Sequence, residues 1–177
     1  ARMTQTASVP WPELNDETLR DGVQSPSVRH PSLEDKRAAL HLMARLGVRS
    51  VSLGLPGASA RERADVACLL KEVAGARLGL HAHAAARTVV ADLEPIARIV
   101  QAVGAPLAAY AFIGSSPIRR FAEGWEVDDL LRTTEIALEF ARQEGIEVAF
   151  VTEDTTRSRP DDLERLLGHA LRLGVRR

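Results

Sequence analysis

Two hydrophobic periods alternate along the chain. Five stretches place apolar residues three and four apart, the spacing that builds one stripe on a helix: LEDKRAALHLMARLG, ARERADVACLLKEVAG, DLEPIARIVQAVG, VDDLLRTTEIALEFARQEG and PDDLERLLGHALRLG. Between them stand short, mostly apolar runs of strand length, VRSVSLGL, ARLGLHAHA, APLAAYAFIG and IEVAFVTED, preceded by an opening strand around Pro12 to Leu19. Ser32 with Asp35 and Ser59 with Glu62 have capping-box spacing, in which the serine oxygen and the acid each accept an N–H that the first helical turn leaves unpaired. Gly47, Gly75, Gly104, Gly145 and Gly174 close the helical stretches, where a left-handed backbone costs no Cβ clash.

A helix between every pair of successive strands predicts a parallel sheet, because a parallel connection needs a crossover of a dozen or more residues. Five such α/β units, in strand order 1-2-3-4-5 with right-handed crossovers, fit either a doubly wound sheet or part of a (β/α)8 TIM barrel. The glycine-rich dinucleotide fingerprint is missing from the first strand-to-helix turn, which favours the barrel. The polar segments RDGVQSPS, PGASA, AAART, SSPIRR and TEDTTRS all follow strands. In a TIM barrel those loops build the site, so the polar chemistry is expected on one face.

Composition adds limits. At 177 residues and 45% hydrophobic content there is room for one domain with a core, assigned to residues 12–177 after an N-terminal extension at 1–11. A net charge of −1, from 23 basic and 24 acidic residues interspersed, gives no field that would gather nucleic acid. Cys68, the lone cysteine, falls in an amphipathic run and reads as a packed thiol. No apolar run has the length of a membrane span and residues 1–10 lack a signal-peptide pattern, so the expectation is a cytoplasmic protein without a membrane partner.

The sharpest chemical feature is NDETLRDGVQSP, where Arg20 and Asp21 stand side by side before Gly22. In an arbitrary chain such a pair is a solvated contact of little consequence. DETLRDGVQSP, however, resembles the opening signature of the DRE-TIM metallolyases, the group of 2-isopropylmalate synthase, homocitrate synthase, citramalate synthase and HMG-CoA lyase. AAARTVVADL is similar to that family's third-strand loop, and YAFIGSSPIRR and VAFVTEDTTRS resemble the fourth and fifth strands of the synthases. The resemblance runs from Asn15 to Arg177 and implies the first five units of the catalytic barrel.

It also implies a reaction, the Claisen-type condensation of an acyl-CoA, acetyl-CoA first among them, with a 2-oxo acid chelated by Mg²⁺, Mn²⁺ or Zn²⁺. By position Asp21 resembles a metal ligand, a hard carboxylate suited to such ions. Arg20 resembles the group that stabilises the developing oxyanion, and Glu153 a carboxylate for substrate binding or proton transfer. Gln24, Arg87, Ser115 and Ser116 match substrate contacts. Simpler roles stand beside these: Glu153 and Asp154 as a helix cap, Ser115 and Ser116 as turn residues. Two positions depart from the family pattern, Val23 and Ser52, each standing where it usually has Glu. The family's His-x-His ligands lie on its seventh strand, so His81 and His83, on the third, are expected as barrel-interior or loop histidines rather than metal ligands. The sequence given stops just past Gly174, where a sixth strand should begin, so the expectation is either a fragment of a longer chain or a homo-oligomer or association with a complementing half-barrel. A non-catalytic half-barrel subunit and a lyase-like carbon–carbon cleavage are the alternative readings.

Overall fold

The structure, a computed structural model, describes residues 12–177, and the expected extension at 1–11 lies outside the described residues. Five parallel strands, β1 (Asn15–Asp16), β2 (Ser50–Ser52), β3 (His81–Arg87), β4 (Ala108–Ile113) and β5 (Val148–Thr152), form one sheet in the order β1-β2-β3-β4-β5. The helices are α1 (Leu33–Leu46), α2 (Ala60–Gly75), α3 (Val90–Val103), α4 (Pro117–Glu123), α5 (Val127–Gln143) and α6 (Pro160–Arg172). Both the strand order and the parallel sense agree with the alternation in the sequence.

Side-chain alternation shows which face the helices cover. Val51 and Leu53, then Ala82, Ala84 and Ala86, then Ala109 join Leu40, Val66, Leu69, Leu93, Ile96 and Ala137 in the main core. A second cluster, Ile113, Leu130 and Leu166, continues the same face toward α5 and α6. Burying each leucine or isoleucine of these layers stabilises the fold by about 1.5–3 kcal/mol before entropy is counted. The opposite positions, Ser50, Ser52, His83 and Tyr110, point to an inner face that these clusters do not occupy. Helices on one face only are the arrangement of a barrel wall, whereas a doubly wound sheet would carry them on both.

The caps form as expected at α1, where Ser32 and Asp35 exchange both bonds, and at α2, where Ser59 accepts from Glu62 N–H. Several boundaries differ from the sequence expectation. Gly75 ends α2 in helical conformation, and the left-handed residues that follow are Arg77 (φ 51°) and Gly79 (φ 69°). β3 begins at His81 and runs on through Arg87, so the AAAR segment is strand and not loop. α3 starts at Val90, two residues before the expected Asp92, whose carboxylate turns back toward β3 and accepts from Arg87 N–H. SSPIRR, expected as loop, contains α4: Ser116 Oγ accepts from Arg119 N–H and Pro117 occupies the first turn, where no N–H is needed. No helix among the described residues is long and apolar enough to cross a membrane.

Candidate active site at the carboxyl ends of the strands

The turn after β1 is built around Glu17. Its backbone carbonyl accepts from three successive amides, Arg20 (3.1 Å), Asp21 (2.8 Å) and Gly22 (3.2 Å). Gly22 is required by close approach: a Cβ there would lie 2.5 Å from Thr18 O. Leu19 points the other way into the core and anchors the turn. Arg20 and Asp21 are thereby presented together, with Arg20 Nη1 donating to Asp21 Oδ1 at 3.0 Å. Asp21 is the exposed member, its side chain 62% accessible against 26% for Arg20. Gln24 is exposed beside them and lines a cleft of about 280 Å³ with Arg20, Val23, His30, Leu55 and Glu62.

Arg87 ends β3 with its guanidinium bound to Asp92 through two hydrogen bonds, Nε to Oδ2 at 2.9 Å and Nη2 to Oδ1 at 2.7 Å. Asp92 also accepts from Arg87 N–H at 3.0 Å. Burial alone would raise the Asp92 carboxyl, but the Arg87 bonds outweigh it and hold the group below its ordinary value. The same pairing holds Arg87 charged. Arg87 therefore reaches the mouth as one half of a fixed pair.

Ser115 and Ser116 are fully buried, and a residue 38 to 39 positions away explains why: Asp154 accepts from Ser115 N–H at 2.8 Å and from Ser116 N–H at 3.0 Å. The Ser115 and Ser158 hydroxyls lie 2.8 Å apart. Burial pushes the Asp154 carboxyl up, and the combined hydrogen bonds from Ser116, Ser115 and Ser158 bring it below the ordinary carboxylate value. The sequence offered Asp154 only as a helix cap beside Glu153; its side chain makes no cap bond to the short turn that follows and instead holds the two serine amides. Glu153 is exposed at the end of β5, with its N–H on Ile113 O at 3.0 Å. Ser116, Arg119, Glu153, Asp154 and Arg157 surround a second cleft of about 240 Å³.

Thus the expected residues share the carboxyl-terminal ends of the strands but form separate groups: Arg20, Asp21 and Gln24 after β1, Arg87 at the end of β3, and the serines with Glu153 after β4 and β5. Beneath them His83 is buried against the inner face, its ring stacked on Tyr110 at 3.7 Å and its Nε2 at 2.8 Å from Asn15 Oδ1. This is the barrel-interior histidine the sequence led us to expect, while His81 stays exposed at the start of the strand near Glu147. Cys68 is half-buried. A cleft of about 600 Å³ opens at the opposite ends of the strands among Leu80, Leu107 and Ile146 and holds none of the motif residues except His81. It is the gap where helix ends meet strand starts, away from the polar loops.

A parallel sheet with helices on one face and its polar side chains at the carboxyl ends of the strands defines this protein as the N-terminal part of a (β/α)8-type barrel. The chain belongs to the HMGL-like family, whose model matches residues 12–177. It is similar to a 2-isopropylmalate synthase of Brevibacillus brevis, 31% identical over 165 residues that make up 92% of this chain and 31% of that protein. A 2-isopropylmalate synthase of Methylacidiphilum infernorum is 29% identical over 162 residues, 90% of this chain and 31% of its own length. A homocitrate synthase of Pyrococcus horikoshii is 28% identical over 162 residues, 92% of this chain and 42% of its own. The chain thus spans about a third of the length of these curated relatives.

Proposed function

We propose that this segment supplies the Arg–Asp end of a metal-dependent condensing site that joins an acyl-CoA, acetyl-CoA in the first instance, to a 2-oxo acid. The carrying observation is the turn after β1, which holds Arg20 against Asp21 while leaving the rest of the Asp21 carboxylate open to solvent. The names of the relatives, 2-isopropylmalate synthase and homocitrate synthase, support the same reading. A divalent ion fits this donor in kind, since a carboxylate oxygen is a hard ligand, but not in number. Among the described residues no three His, Cys, Asp or Glu side chains are grouped so as to hold an ion, and Asp21 would be one ligand of several. Such an ion, when bound, polarises a keto oxygen as a Lewis acid.

The protein's own part follows from charge and reach. As the α-carbon of the thioester gives up a proton and attacks the keto carbon, negative charge develops on the keto oxygen, where the permanently charged fork of Arg20 stabilises it until it is protonated; water then cleaves the thioester C–S bond and releases the CoA thiol. Glu153, exposed at the end of β5, is the carboxylate placed to take or relay a proton. Gln24 and Arg87 offer donors to the carboxylate of the 2-oxo acid. Phe150 N–H donates to Arg177 O at 3.0 Å, so the segment after Gly174 already lies along β5 where a sixth strand would add. A complementing barrel half, on the same polypeptide or a partner, would continue the sheet there. One observation favours a non-catalytic subunit instead: Ser52, in place of the acid the family pattern has, is buried with its hydroxyl unpaired. Calorimetric titration of Mn²⁺ into the natural polypeptide separates the two. Tight binding that Asp21→Ala abolishes supports the condensing site; binding that is absent, or indifferent to Asp21→Ala, supports the subunit.

A further inference from the structure

Two buried polar atoms in the turn after β1 face each other without a completed hydrogen bond. Glu17 Oε2 and Arg20 Nε are both shut off from solvent, both lack a hydrogen-bond partner, and stand 3.4 Å apart. Neither atom has another hydrogen-bond partner, and a polar atom shut off from water without one is costly, although both side chains are partly exposed. The other end of the carboxylate is already fixed. Glu17 Oε1 accepts from Asn15 Nδ2 at 2.9 Å, Asn15 Oδ1 lies 2.8 Å from His83 Nε2, and the His83 ring is stacked on Tyr110. Burial holds His83 neutral, and because Asn15 Oδ1 can only accept, His83 Nε2–H donates to it; Asn15 then donates to Glu17, so the relay from β4 and the guanidinium of Arg20 converge as donors on the two oxygens of the Glu17 carboxylate. Side chains from β1, β3 and β4 thus end on the Nε edge of Arg20, while Asp21 holds only the Nη1 corner.

We infer that Glu17 is the positioning residue for Arg20, locking the guanidinium by its Nε edge through a relay from His83 and Asn15, so that Asp21 is free to turn its carboxylate to another partner. This rests on the reading of Arg20 as the oxyanion group. If Asp21 engages a cation, its oxygen is withdrawn from Arg20, and Glu17 is then the remaining carboxylate within reach of the guanidinium. Without it Arg20 keeps its charge but loses its aim, and misplacement by about 1 Å can cost on the order of 100-fold in rate.

The test uses the natural polypeptide with Glu17→Ala, Glu17→Thr, whose side chain cannot reach the guanidinium, and Glu17→Gln, which keeps an acceptor oxygen. The Arg20 Nε–H resonance should be protected from exchange in the parent and in Glu17→Gln, and lost to rapid exchange in the alanine and threonine variants. In the condensation assay kcat should fall about 10- to 100-fold for Glu17→Ala and Glu17→Thr with KM little changed, and recover substantially in Glu17→Gln. In an Arg20→Ala background, removing Glu17 should cost nothing more. An unchanged Arg20 Nε–H signal in both short variants, or a Glu17 loss that persists in full without Arg20, overturns the positioning role. Full condensing activity in Arg20→Ala alone sinks the functional reading instead, and the resonance then still decides whether Glu17 holds Arg20.

Discussion

Burial on the inner face of the sheet pushes the His83 imidazole down to about 3 from its ordinary 6.5, and the charges of His81, Arg177 and Arg20 act in the same direction. Its folded value lies below its unfolded one, so its contribution to stability is complete above about pH 6.5 and is lost as pH falls toward 3. Its ring signals should stay unshifted from pH 8 down to about 4 in an NMR titration. A midpoint near 6.5 would show that the ring is not buried against Tyr110. Asp154 has the same sign: its carboxyl is held below the ordinary 3.8, so its stabilisation is present above that pH and disappears as pH drops through the folded value. Asp154→Asn would set an amide N–H₂ against a backbone N–H, and should cost about 1–3 kcal/mol at pH 7 by denaturant unfolding. The difference from the parent should narrow below pH 4. Equal unfolding midpoints at pH 7 would mean that Asp154 does not hold the two serine amides. The interior place of His83 was legible in the sequence, but the hydrogen-bond partners of His83 and Asp154 were not, since they lie 68 and 39 positions away and no local pattern records them. Arg20 and Asp21 were legible because their neighbours in the chain form the turn that presents them.

At the level of elements, what could be read was whatever carries its signal within one turn. Ser32 with Asp35 and Gly47 marked both ends of α1, and both ends form as marked. α4 was missed because it is short and buries no side chain, so it has no apolar stripe. The displaced start of β3 has a similar cause: ARLGL reads as strand by its apolar residues, but Arg77 and Gly79 both take left-handed backbone, and a strand cannot run through them. The turn after β1 is the element on which the site depends. Gly22→Ala brings a Cβ within 2.5 Å of Thr18 O, a backbone atom that cannot step aside without moving the carbonyl between Glu17 and Leu19. The variant should lose about 1–3 kcal/mol by thermal or denaturant unfolding, and condensing activity should fall by more than that loss of folded protein explains. A fully active Gly22→Ala would show that the close packing of the turn is dispensable.

At the scale of the whole molecule, five βα repeats predicted an open run of parallel strands, and the packing of α1, α2, α3, α5 and α6 on one face distinguishes a barrel wall from a doubly wound sheet. That distinction was only hinted at in the sequence, because strand runs such as VRSVSLGL do not say which of their two faces a helix will cover. Once the wall is in place, all the polar loops after the strands stand at one end of it, and Arg20 is the permanent cation held closest to the open carboxylate of Asp21. The most direct measurement is steady-state kinetics of thiol release from acetyl-CoA with 2-oxo acids, using the natural polypeptide and its Arg20→Lys variant in the presence of Mn²⁺. Arg20→Lys keeps the charge and loses the fork, so kcat should drop on the order of 100-fold while KM for the 2-oxo acid moves by no more than a few-fold. A variant that keeps near-normal kcat, or loses only KM, would contradict the assignment of Arg20 to the developing oxyanion.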